Sequence, residues 1–192
     1  MQGDSVDDET EYRKRLWAQL TEAYGKLVYT RQTQNQAAND TNSFSERLSL
    51  AQIVLTAVSS TGFLSAVICD QDAVAVAAAI CSAISLGINL YTRGARLPEE
   101  SAGHVRAANV LWLLDQEFVS LLIDFDHLEI TEITQQRDAL LLKLDEAYRN
   151  APRTNARHYA KARKQLKEEE AQSFEEGEVD ELLPVELRGK YQ

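Results

Sequence analysis

Seven polar residues stand at helical spacing inside the two stretches of this chain that carry no charge. Ser49, Gln52, Thr56 and Ser59 recur at i, i+3, i+7 and i+10, and Ser82, Ser85 and Asn89 at i, i+3 and i+7, so each set shares one face of a helix. Rows of hydroxyls and amides hydrogen-bond water, ions or a neighbouring helix; bond-breaking chemistry would need an activating base beside them. No such base is present in the pattern. The chain has no Gly-rich phosphate loop, no nucleophile elbow and no pair of His on one helical turn. His104, His127 and His158 are isolated and read as surface or interface histidines, and two Cys are too few for a disulfide framework. Catalysis, a cofactor and a metal centre are therefore not expected.

The stretches that hold these rows are unusual in a chain that is 26% charged. Leu48 to Cys69 is 22 residues and Ala73 to Thr92 is 20, both without Asp, Glu, Lys, Arg or His. As helices each would be about 30 Å long, the thickness of the hydrocarbon layer of a bilayer. A soluble core helix would carry charge on its outer face, whereas these are uncharged all round. We therefore expect transmembrane helices at 48–69 and 73–92. Asp70-Gln71 leaves room only for a tight turn, which makes them a hairpin. Arg31, Arg47, Arg93, Arg96 and Arg106 flank the open ends and the tip has no base, so both termini are expected in the cytoplasm.

Polar faces inside a bilayer must meet protein or water, which leaves two readings of the rows: the lining of an aqueous path between assembled hairpins, or hydrogen bonding between the helices of one hairpin. Small residues at four-residue spacing let backbones approach. Ala75, Ala79, Ala83 and Gly87 form such a ridge, a candidate helix-contact surface for a homo-oligomer.

Charge divides the rest. The net charge of −10 arises as −5 in residues 1–11, −6 in 167–192 and +1 between them. The ends read as acidic, solvated tails, the first disordered, and they argue against nucleic-acid binding. Between them, 12–38 reads as one amphipathic helix with Tyr12, Leu16, Leu20, Ala23 and Leu27 on a stripe. Asn39 to Asn42 are turn formers, and Ser43 with Glu46 reads as a capping box that starts the next helix. Over 98–166 we expect further cytoplasmic helices. Pro98-Glu99-Glu100 makes a first turn; Leu111, Leu114, Phe118, Leu121, Leu122 and Phe125 form an apolar face with Asp115, Glu117, Asp124 and Asp126 largely opposed. Ile130, Ile133, Leu140, Leu141, Leu144 and Tyr148 continue the pattern. Pro152 ends that helix, and Thr154 is placed to cap the last, which packs through Tyr159, Ala162 and Leu166. The fold class is all-α: a two-helix transmembrane hairpin joined to a cytoplasmic helical bundle.

The order of these elements and some local wording resemble the SLATT domains, two-span effector modules of bacterial conflict systems. The resemblance covers about 12–166. It is carried by Tyr24-Gly25-Lys26-Leu27-Val28-Tyr29-Thr30 and Gln32-Thr33-Gln34, by the two short spans with their tight turn, and by Ala151-Pro152-Arg153-Thr154 followed by Tyr159 and Ala160 to Arg163. It implies an effector of the bacterial inner membrane that, on a nucleotide second messenger or a signal from a sensor or cyclase protein, oligomerises and breaches the bilayer, causing growth arrest or death. It brings no catalytic residues. A non-conducting membrane scaffold or signalling adaptor, and a wholly soluble helical oligomer, are the alternatives.

Overall fold

A computed structural model describes residues 3–69, 72–168 and 182–189; the Asp70-Gln71 turn and most of 167–181 lie outside them. The described residues form helices α1 (Gly3–Cys69), α2 (Asp72–Ala95), α3 (Leu97–Asp124), α4 (Ile130–Asn150) and α5 (Ala156–Glu168), then a short 3₁₀ turn at Val185–Leu187. No strand occurs among them, and the protein is all-α. Two compact units divide the chain. One comprises 1–37 and 103–192, the other 38–102.

The larger unit is a helical body with a single apolar core. Leu16, Leu20 and Leu27 of α1 are buried as the stripe predicts, and Trp17, Tyr24 and Val28 widen that face, whereas Tyr12 is exposed. Leu111, Leu114, Phe118, Leu121, Leu122 and Phe125 of α3 join them, with Ile133, Leu140 and Leu144 of α4 and Leu166 of α5. Trp17 meets Phe125 edge to face, ring centroids 5.2 Å apart. Beside that contact the Arg13 guanidinium donates to the carbonyls of Phe125 (3.3 Å) and Leu128 (3.0 Å), so α1 supplies partners to acceptors that the end of α3 leaves open. α5 is capped by Asn155 rather than Thr154: the Asn155 carboxamide oxygen accepts from the His158 N–H at 3.0 Å.

Three local readings give way to longer-range forces. The turn expected at Asn39 to Asn42 is absent and α1 runs through it. Those residues cost a helix a few tenths of a kcal/mol each, about 2 kcal/mol together. Against that, Ala37 and Ala38 are buried, and Asn42 bonds Glu46 one turn on at 2.8 Å instead of starting a new helix. The N-terminal acidic stretch is not a separate tail over 3–11. It extends α1, with Glu9 and Glu11 paired one turn on to Arg13 and Arg15. The C-terminal acidic stretch is not wholly solvated either. Leu183 (2% exposed) and Leu187 (5%) belong to the body's core.

The smaller unit is an antiparallel helical hairpin made by the second half of α1 and by α2. Contacts climb one helix as they descend the other: Phe44 against Tyr91, Thr56 against Ser85, Gly62 against Ala78. After α2, Arg96 adopts φ 47°, a left-handed conformation that stops one helix, and its carbonyl accepts the first N–H groups of α3 from Glu99 and Glu100.

Docking of the C-terminal segment onto the body makes Leu183 a core residue despite its acidic neighbourhood. Leu183→Ala is expected to destabilise the body by about 2–5 kcal/mol, read as a lowered unfolding midpoint in denaturant.

Candidate functional site

The hairpin seam has a regular spacing. Partly buried positions on α1 include Ser45, Leu48, Gln52, Leu55, Ser59 and Gly62, and on α2 Val74, Cys81, Ser85, Ile88 and Thr92 around the buried Ala78, steps of three and four that match a left-handed helix pair, with Ala51, Asn89 and Ala95 partly buried beside them. The helices come close at Gly62. A Cβ there would stand 3.3 Å from that of Ala78, so even one extra methyl presses on the partner helix.

The polar rows divide between this seam and the outer surface. Gln52, Ser59, Ser85 and Asn89 are partly buried; Ser49, Thr56 and Ser82 are exposed. Thr56 donates its hydroxyl proton to the Gln52 carbonyl (2.8 Å), so the 3.2 Å contact between Thr56 and Ser85 is completed by the Ser85 proton. Ser59 bonds back to Leu55, and the Asn89 carbonyl accepts from Thr92. The ridge of Ala75, Ala79, Ala83 and Gly87 is exposed and lies off the seam, and a Cβ at Gly87 would meet nothing within 4 Å. Between the two helices of the hairpin, Ala78 faces Gly62.

Beside those hydroxyls, large apolar side chains cover the outside of the hairpin. Leu50, Ile53, Val54, Val58, Val76, Ile80, Ile84, Leu86 and Leu90 are each at least half exposed. One helical stretch among the described residues, Ala73–Asp124, is long and apolar enough to cross a membrane; its most apolar window has a mean hydropathy of 2.1 and is 6% buried. The uncharged part of that stretch, Ala73 to Thr92, lies within α2. A core helix of a soluble protein would be mostly buried instead.

The body holds a second polar constellation that the sequence reading placed differently. Asp115 was expected on the outer face of α3, yet it is 4% exposed and its Oδ2 lies 2.8 Å from Nη1 of Arg31 on α1. Burial pushes the Asp115 carboxyl above the usual carboxylate range, opposed by the Arg31 charge and by the Tyr24 hydroxyl. His104 is also inside, 1% exposed, rather than at the surface. Its Nδ1 lies 2.6 Å from Gln34 Oε1, and the Gln34 amide donates to the Pro152 carbonyl at 3.1 Å. With its NH₂ committed to that carbonyl, Gln34 presents oxygen to His104, which fixes the proton on Nδ1. Gln32 and Gln36 both donate to the Gln165 carboxamide of α5. The glutamines of α1 thus tie it to α3, α5 and the segment after α4. His127 is exposed, and His158 stands 6.5 Å, centroid to centroid, from His104. No cluster of metal-ligating side chains occurs among the described residues.

A lipid-compatible helical hairpin built onto a polar-tied helical body defines the class: an all-α protein with a membrane-length helix. The sequence pattern of the family described as "SMODS and SLOG-associating 2TM effector domain family 4" matches residues 16–178, and the chain belongs to that SLATT family. Membership makes it an effector-domain protein of the conflict-system class. No curated protein and no solved structure matches the chain.

The buried pair has a pH signature. A carboxyl whose folded-state pKa is raised favours the folded state below its unfolded pKa, and that contribution is lost as pH rises through the raised value. Arg31→Met strands the carboxylate and is expected to cost about 3–5 kcal/mol near neutral pH, and far less at about pH 4, where Asp115 takes up a proton. Unfolding of the detergent-solubilised variant at the two pH values checks this; an equal loss at both would show that Asp115 is not the group left behind.

Proposed function

We propose that the protein is a membrane effector whose hairpin crosses the bacterial inner membrane twice with both termini in the cytoplasm. Several copies assemble there, and on a nucleotide or partner signal received by the cytoplasmic body they open a pore or disrupt the bilayer, halting growth or killing the cell. The observation that carries this reading is the distribution of polarity on the hairpin. Large apolar side chains cover much of its outside on both helices, which suits lipid, while Gln52, Ser59, Ser85 and Asn89 lie partly buried and Ser49, Thr56 and Ser82 on the same helical rows are exposed. Copies arranged with those rows inward would give a polar path with an apolar outside. Exposed apolar residues on α3, Val105, Trp112 and Ile123, supply further surface for association of the bodies.

A second reading is favoured by a specific contact. The Thr56–Ser85 hydrogen bond satisfies two of the polar groups within one hairpin, as expected of a non-conducting scaffold or signalling adaptor whose spans only anchor it. The two readings separate on one variant. In cells carrying the activated protein, Ser85→Leu with Asn89→Leu is expected to restore membrane potential and propidium iodide exclusion while leaving membrane insertion and protein level intact. A double variant that permeabilises cells as fully as the parent would overturn the pore reading.

A further inference from the structure

Asp115 and Arg31 satisfy only part of each other. Asp115 Oδ2 pairs with Arg31 Nη1 at 2.8 Å, but its Oδ1 has no hydrogen-bond partner among the described residues, and neither has the Arg31 Nε–H. Leaving a charged oxygen unpaired inside a protein costs on the order of 1–3 kcal/mol or more. Both residues line an open pocket of about 610 Å³ bordered by α1, α3, α5 and the C-terminal segment. That volume lies in the range of small-molecule sites.

The lining specifies a chemistry. Oδ1 offers an acceptor and Nε a donor, so the complementary edge carries one donor and one acceptor. Arg31 and Asp115 neutralise each other at 2.8 Å, so the pair itself carries no net charge to favour a charged group at that edge. Val28, Val119 and Leu166 form apolar wall, Tyr24 and Gln116 add polar groups, and the cationic Arg188 donates from Nε to the Leu183 carbonyl at 3.0 Å. The geometry points to a ligand site here for a small, neutral carboxamide or lactam, its amide edge on Asp115 and Arg31 and its carbon body against the valines. Such a ligand touches α1, α3 and the docked segment around Leu183 together, and so stabilises that docking by mass action. The site stands apart from the pore reading because its test reads binding alone.

Three probes of one shape and different edges provide the test: benzamide, with donor and acceptor; benzoate, with acceptors only; and benzamidinium, with donors only. Each is titrated calorimetrically into the full-length protein in detergent. Benzamide is expected to bind about tenfold or more tightly than either ion, the discrimination that one hydrogen bond to a charged group gives. Asp115→Leu is expected to remove that preference. Should that variant fail to fold, Val119→Phe fills the pocket while keeping the ion pair, and is expected to abolish benzamide binding. Equal binding of all three probes, no binding of any, or benzamide binding that survives Val119→Phe would overturn the assignment and leave a pocket that holds water.

Discussion

An uncharged helix surface gains nothing from water, and every part of this protein is arranged around two such surfaces. The hairpin cannot bury them within itself. Two helices packed along one seam cover one stripe each, and the remaining faces keep Leu50, Ile53, Ile80 and Leu90 outward. At about 25 cal/mol per Å² of apolar surface, that exposure is a standing drive towards a bilayer or another chain. The seam is correspondingly modest: small residues, one hydroxyl pair and a glycine set close against Ala78. Its composition suits a setting in which close packing and internal hydrogen bonds, rather than exclusion of water, hold helices together.

The body solves the opposite problem. Its apolar core is ample, and the polar groups inside it act as registers. Gln34 can satisfy His104 and Pro152 together only at one rotation of α1, and Arg31 reaches Asp115 only at a compatible one. Buried ion pairs add little net stability, because desolvation offsets most of the attraction. They do penalise misalignment heavily. We read Arg31–Asp115 and Gln34–His104 as devices that fix how α1 and α3 meet, with the unfilled half of the first pair left over for chemistry.

Much of this was legible from periodicity. The α3 face from Leu111 to Phe125 and the α4 face through Ile133, Leu140 and Leu144 lie where their spacing places them, because every third or fourth residue is apolar and nothing competes. Four features were hidden, each for a physical reason. Asp115 carries a charge whose default is water, and only its distant partner Arg31 reverses that. Leu183 and Leu187 stand among acids that dominate any local average. Asn39 to Asn42 spell a turn, but burial of the neighbouring alanines outweighs their weak preference. The contact face of α2 was ambiguous because alanine occurs on every side of 73–83, so Ala78 and the Ala75–Ala79–Ala83 ridge are equivalent in sequence and differ only once α1 is beside them.

The body is discontinuous in sequence, its first part at 1–37 and its second beginning at 103. A chain made from its N-terminus therefore presents the stripe of Leu16, Trp17, Leu20 and Leu27 long before any residue that will cover it exists. The hairpin emerges next, ahead of α3, and can engage a bilayer while the body is still half made. Contacts between such distant segments form late in folding. Synthesis thus imposes an order in which the apolar hairpin is complete before the body that holds the polar registers, whose second half is made last.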